Sequence, residues 1–385
     1  MRMLRNVLIW STICASGFLI DAGGVFAQSS PGNASASEQN AAPAYRDGQH
    51  DFDFEIGSWN IHLKRRLNPL TGSDKWVEFD GTSVTRRIWE GRSQIEEFET
   101  DGAAGYVEGL TLRLYNPQSH QWSLYWANAK DGTVVAPQIG EFRNGVGEFY
   151  GTDTLNGKVI LIRFIWSNTT TNTPHFEQSF SVDGGKTWEV NWITDQTRVS
   201  EGSEKASGQR NSGAATTGAQ EAAGDGASDF APLIGSWKFQ VKRLQHPLSG
   251  STTWVDLQGT GECFKVWDGR ANLDTIEADG PTGHLEGLTL RLFNPQTHQW
   301  SLYWANSKIA KLDPPQVGEF EDGRGDFYAQ DTINGRTILI RYDWTNLTTS
   351  APHFEQAFSD DGGKTWEVNF IADQTRADGA PASGQ

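Results

Sequence analysis

Apolar residues recur at every second position in short runs along this chain. Trp122, Leu124 and Trp126 alternate with Ser123, Tyr125 and Ala127. Leu110, Leu112 and Leu114 alternate with Thr111, Arg113 and Tyr115. A period of two is that of a strand with two different faces. Turn residues punctuate the runs: Asn68-Pro69, Asn116-Pro117, Asn144-Gly145, Asn156-Gly157 and Asp183-Gly184-Gly185. Asn-Gly is the dipeptide most favoured in type I′ hairpin turns. The pattern predicts about ten strands, over 59–67, 76–89, 94–99, 107–115, 121–128, 138–142, 147–153, 158–166, 175–181 and 187–198. No segment reads as a long helix. Consecutive hairpins predict an antiparallel up-and-down meander, best closed as a barrel that leaves no free edge. A β-sandwich is the alternative.

The whole pattern occurs twice. Gly57-Ser58-Trp59 returns as Gly235-Ser236-Trp237, and the same offset of 178 links Trp122 to Trp300, His175 to His353 and Arg198 to Arg376. About 80 of roughly 140 aligned positions are identical, with no insertion or deletion. The repeat is far longer than a solenoid or propeller unit, so it is a duplicated domain. The expected organisation is a barrel over 49–198, a second over 229–376, and between them a linker over 199–228. The linker is Gly, Ala, Ser and Thr with scattered charges, a composition too poor in apolar residues to fold. Segments 28–48 and 377–385 read as disordered for the same reason.

Residues 1–27 carry a targeting pattern: Arg2 and Arg5, an apolar stretch from Val7 to Ile20, then Val25-Phe26-Ala27 before a cleavage point. An exported, periplasmic or secreted protein is expected. No other run is apolar enough to span a membrane. Past the leader only Cys263 remains, which excludes an internal disulfide and a cysteine-based metal cluster. The net charge of −16 argues against nucleic acid as a partner.

Gly57-x-Trp59 on the first strand and Arg198 on the last resemble the signature of lipocalin-like, or calycin, barrels, and Gly235, Trp237 and Arg376 repeat it. Each copy as a whole is similar to bacterial lipocalin-like domains of unknown function, through Gly109-Leu110-Thr111-Leu112-Arg113, Phe149-Tyr150 and the stretch from His175 to Trp188. The resemblance implies an all-β fold of two tandem barrels. It further implies a small apolar or amphipathic ligand held inside, with a first-strand Trp and a last-strand Arg closing one end.

Arg113 and Arg163, with Arg291 and Arg341, stand in otherwise apolar strands. Such arginines point outward or meet an acid group inside the lumen. If the face carrying Arg113 and Tyr125 is lumenal, then Arg113, Tyr125, Arg163, Gln178 and Asn191 line a polar-tipped pocket. Arg291, Tyr303, Arg341, Gln356 and Asn369 do so in the second copy. Ser181-x-Asp183-x-Gly185-x-Thr187-Trp188 matches the Asp-box of sialidase propellers, yet one box per domain is too sparse for a propeller and reads as a stabilised hairpin. His120 and His175 lack a second ligand at metal-like spacing. The expectation is therefore a binding module for a small amphipathic ligand, without a cofactor or metal. The alternatives are an enzyme of isomerase or hydrolase type using lumenal carboxylates, and a two-domain interaction module. Glu108, Glu141, Asp153, Glu177 and Asp195, all matched by acids in the second copy, are the candidate carboxylates.

Overall fold

The computed structural model describes residues 46–103, 105–201 and 225–377. The leader, most of the linker and the C-terminal tail lie outside the described residues. The strands of the first copy are β1 (Gly57–Arg66), β2 (Trp76–Ile88), β3 (Ser93–Gly102), β4 (Gly105–Asn116), β5 (Gln121–Asn128), β6 (Thr133–Val134), β7 (Gln138–Arg143), β8 (Val146–Leu155), β9 (Lys158–Ser167), β10 (His175–Ser181) and β11 (Glu189–Glu201). All pairings are antiparallel, β1 pairs with β11, and pairing of β4 with β5 closes the barrel. The two-residue β6 is an extra rib on β5. The second copy repeats this as β12 (Gly235–Leu244), β13 (Trp254–Val266), β14 (Ala271–Gly280), β15 (Gly283–Asn294), β16 (Gln299–Asn306), β17 (Gln316–Glu321), β18 (Arg324–Ile333), β19 (Arg336–Thr345), β20 (His353–Ser359) and β21 (Glu367–Arg376), a closed barrel. The ordered chain reaches past the limits expected from composition. β11 runs to Glu201, the carbonyl of Gly48 accepts the Trp122 indole N–H, and that of Gly226 accepts the Trp300 indole N–H.

One end of each barrel is sealed from within. Phe52 precedes a short 3₁₀ turn and is fully buried against the rings of Trp122, Phe142, Phe149 and Trp166. Phe230 does the same in the second barrel against Trp300, Phe320, Phe327 and Trp344. Above this plug lies the Trp–Arg pair. The Arg198 guanidinium carbon sits 4.0 Å from the Trp59 ring centre, and its two terminal nitrogens donate to the carbonyls of Ile56 and Phe54. Arg376 repeats the arrangement over Trp237, also at 4.0 Å, with the carbonyls of Ile234 and Pro232. A planar fork satisfies two orphan carbonyls while its face covers an indole. Aromatic rings fill the interior. Gly109 permits this at one point, since a Cβ there would stand 2.3 Å from the Trp126 ring.

The two barrels share a face. Leu110, Leu112 and Leu114 of β4 project outward, with Tyr125 and Ala127 of β5, and they pack against Leu288, Leu290 and Leu292 of β15, with Tyr303 and Ala305 of β16, in one buried cluster. Contacts around it come in symmetric pairs. Arg92 meets Glu286 at 2.9 Å and Arg270 meets Glu108 at 2.6 Å. The Leu312 N–H donates to Tyr125 Oη, and the Val134 N–H donates to Tyr303 Oη, both at 3.2 Å. The duplication thus folds as a pseudo-two-fold dimer within one chain. Trp89 and Trp267 enter the cluster from backbones at φ 50° and 48°. That conformation costs about 1–3 kcal/mol for a bulky residue and persists where packing imposes it.

Two outcomes are expected. Arg198→Lys keeps the charge but loses the fork, and should lower barrel stability by about 2 kcal/mol in urea denaturation. Leu112→Ala with Leu290→Ala should remove about 2–5 kcal/mol per site from the shared face. Small-angle scattering should then show an expanded particle, and calorimetry two transitions in place of one.

Candidate functional site

At the end opposite the Trp–Arg seal, the first barrel opens into a cleft of about 400 Å³. Its wall is built by a bulge. Between β10 and β11 the register skips so that Gln178 faces Trp192 and Ser179 faces Val190, which leaves Asn191 as the extra residue. A bulge re-aims a side chain. Here it turns Asn191 to the mouth, where its amide oxygen accepts from Gln178 Nε2 at 2.7 Å. Gln356 and Asn369 form the same bond at 2.6 Å across the same bulge in the second barrel. The cleft is completed by Phe180, Trp192, the 67–69 turn and two arginines. Arg66 is engaged with the Ser73 carbonyl and with Glu189 at 3.7 Å. Arg65 lies over Phe79 at 5.4 Å and has no ion-pair partner among the described residues.

A second polar cluster is sealed in the interior of the first barrel. Arg113 is 1% exposed, and its Nη2 lies 2.5 Å from Glu96 and 3.8 Å from Glu55. Neither Glu55 oxygen forms a hydrogen bond of good geometry, and its carboxyl is pushed up to about 8. Burial is the main cause; Glu96 adds to it, while Arg113 opposes it. Ser83, Thr85 and Thr100 share this inner surface, with hydroxyls buried and unbonded. The second barrel makes the same positions apolar or weakly polar: Leu233 for Glu55, Gly261 for Ser83, Cys263 for Thr85 and Ala278 for Thr100. There Arg291 is balanced by one carboxylate, Asp274 at 2.8 Å, and by Asn272 at 2.9 Å.

The residues singled out from sequence are dispersed. Arg113 and Arg291 face the lumen, buried at its closed half. Gln178, Asn191, Gln356 and Asn369 stand at the mouths. Tyr125 and Tyr303 do not reach a lumen; they lie between the barrels. The reason is register: Leu112 pairs with Tyr125, and Arg113 with Leu124, so the leucine stripe of β4 and the tryptophan stripe of β5 face opposite sides. Arg163 and Arg341 also point outward, because Phe164 and Trp166 occupy the inner positions of β9 and Tyr342 and Trp344 those of β19. They stack on Trp188 at 4.6 Å and Trp366 at 5.0 Å, beside the Asp-box hairpins. In those hairpins Asp183 accepts from the Thr187 hydroxyl at 2.7 Å and the Thr187 amide at 3.0 Å, contacts that hold its carboxyl down at about 2.

The carboxylates matched between copies mostly leave the lumen. Glu108 and Glu286 bridge the barrels, and Asp195 and Glu177 hold His175 on the outside. The lumenal acids, Glu55 and Glu96, were not selected from sequence. One signal marks Glu55: a charge where the other copy has leucine.

Glu55→Leu, which installs the residue of the second barrel, should stabilise the protein. The raised folded value means that the neutral acid suits the fold. Its contribution is full below the unfolded value near 4.5 and is lost as pH rises through about 8. The advantage of the leucine variant should therefore grow from pH 5 to 8, reaching the order of a few kcal/mol, and then level off in thermal melts.

No family model matches the chain, and no curated protein matches its sequence. Among solved structures it is similar to a DUF3598-family protein of unknown function from Nostoc punctiforme, at 10% identity and TM-score 0.25, over 86% of this chain and 100% of that one. A mutant of the vaccine antigen transferrin binding protein B from Haemophilus parasuis matches at 6% identity and TM-score 0.17, over 83% and 76%. An AttH protein from Nitrosomonas europaea matches at 10% and 0.14, over 89% and 99%. Overlaps this loose carry no argument. Two ten-stranded antiparallel barrels in tandem, established by the strand pairing itself, fit the calycin-like resemblance.

Proposed function

We propose that this chain is an exported binding protein whose first barrel holds a small amphipathic molecule with an acidic head at its mouth. The carrying observation is Arg65, a guanidinium with no ion-pair partner among the described residues, above an aromatic-walled cleft of about 400 Å³. That volume is within the range of small-molecule sites, and the Gln178–Asn191 pair adds donors and acceptors at fixed positions. The leader pattern at residues 1–27 supports export. A lipocalin-like role fits this reading, with the ligand at the rim because the tryptophans and phenylalanines beneath it fill the barrel. An enzymatic reading would need converging carboxyls within reach of a substrate. Glu55 and Glu96 converge on Arg113, but all three are at most 5% exposed.

Calorimetric titration of the full chain with dodecanoate tests this. One molecule should bind per chain. Arg65→Ala should weaken binding about tenfold or more, as expected for a charge-assisted contact, and Trp192→Ala should weaken it as well. Unchanged affinity in both variants, or no binding, would remove the reading.

A further inference from the structure

The second cleft lies between the barrels, near the pseudo-two-fold axis, and encloses about 300 Å³. The 134–137 segment of the first barrel and the 311–315 segment of the second meet there. Tyr125 and Tyr303 form part of its wall, one from each barrel. Both rings are buried at the interface and their hydroxyls already accept backbone N–H groups from the opposite barrel, so Val135, Ala136, Pro314 and Pro315 supply apolar surface to the space. Pro137 adds further apolar surface.

Two of the charges in this cleft, Lys311 and Asp313, break the symmetry of the duplication, whereas Asp331 is matched by Asp153. Asp313 and Asp331 line it, with Lys311 beside them. In the first copy Asp313 is replaced by Val135 and Lys311 by Thr133, so neither charge is required by the barrel. Among the described residues that line the cleft, two carboxylates against one ammonium leave one uncompensated negative charge beside proline and aliphatic carbon. We propose that this cleft binds a small organic monocation, an alkyl- or arylammonium. A carboxylate removed from water recovers its lost solvation by pairing with a cation, and the proline and aliphatic walls favour an organic cation over a hydrated inorganic one. Burial pushes the Asp313 carboxyl up to about 6, with Asp331 adding to the rise and Lys311 opposing it. An anionic guest would meet two like charges. A metal ion would need a third ligand, and no group of three metal-ligating side chains forms among the described residues. The overall charge of −16 further favours encounter with cations.

The test is calorimetric titration of the full chain at pH 7.5 with two probes of nearly equal shape, phenethylammonium and 3-phenylpropionate. In the Arg65→Ala chain, which disables the acid-binding mouth, the ammonium should bind once per chain, at least tenfold more tightly than the carboxylate. Asp313→Asn and Asp331→Asn should each weaken it about tenfold, Lys311→Met should tighten it, and Gln178→Ala at the barrel mouth should leave it unchanged. Melting temperatures of the variants confirm folding. Equal affinity for both probes in the Arg65→Ala chain, no binding of the ammonium, or undiminished binding in both asparagine variants overturns the proposal. Loss of ammonium binding in Gln178→Ala alone would also overturn it and assign the guest to the mouth.

Discussion

Leu110, Leu112 and Leu114 face outward from a barrel whose interior is already full of aromatic rings. Three leucines on one strand face, backed by Tyr125 and Ala127, form an apolar patch that cannot be left in water without loss of stability or solubility. The other copy supplies the matching patch, because duplication made the two faces the same. An isologous contact needs only one self-complementary surface, and a tandem repeat carries it twice on one chain. The paired Arg92–Glu286 and Arg270–Glu108 bridges and the paired tyrosine hydroxyls follow from that arrangement. So does the inter-barrel cleft.

The duplicated domains have diverged inside while keeping their frame. Phe52 and Phe230, Trp59 and Trp237, and Arg198 and Arg376 close both barrels with nearly the same distances. Beneath them the first barrel keeps Glu55, Ser83, Thr85 and Thr100 where the second has Leu233, Gly261, Cys263 and Ala278. One buried arginine is thus flanked by two carboxylates in one barrel and by a carboxylate and an amide in the other. A buried charge without a balanced partner shifts its proton equilibrium in preference to staying ionised. The uneven count, rather than the arginine itself, is what distinguishes the first barrel's interior.

Several sequence expectations failed for one reason: alternation states which residues share a face but not which face is inside. Both sides of β4 are buried, one by the lumen and one by the partner barrel, and alternation assigned Arg113 and Tyr125 to one lumenal face where the register of β4 against β5 puts them on opposite sides. Arg163 was misplaced in the same way, since an arginine stacked on the outer Trp188 and an arginine inside a barrel look alike in a strand of apolar residues. Gln178 and Asn191 were legible as polar residues near a strand end, but their meeting depends on a bulge that shifts β11 by one residue.

What the sequence determined by itself is the duplication, the strand period, the hairpin turns and the Trp–Arg closing pairs. These are set by local geometry or by identity between copies, and they can be read along the chain. What only the tertiary structure decided is which face of β4 and β5 meets the other barrel, where Glu55 and Glu96 converge, and where the two clefts open. Those features arise when strands far apart in sequence are brought into one register, and a shift of a single residue exchanges inside for outside.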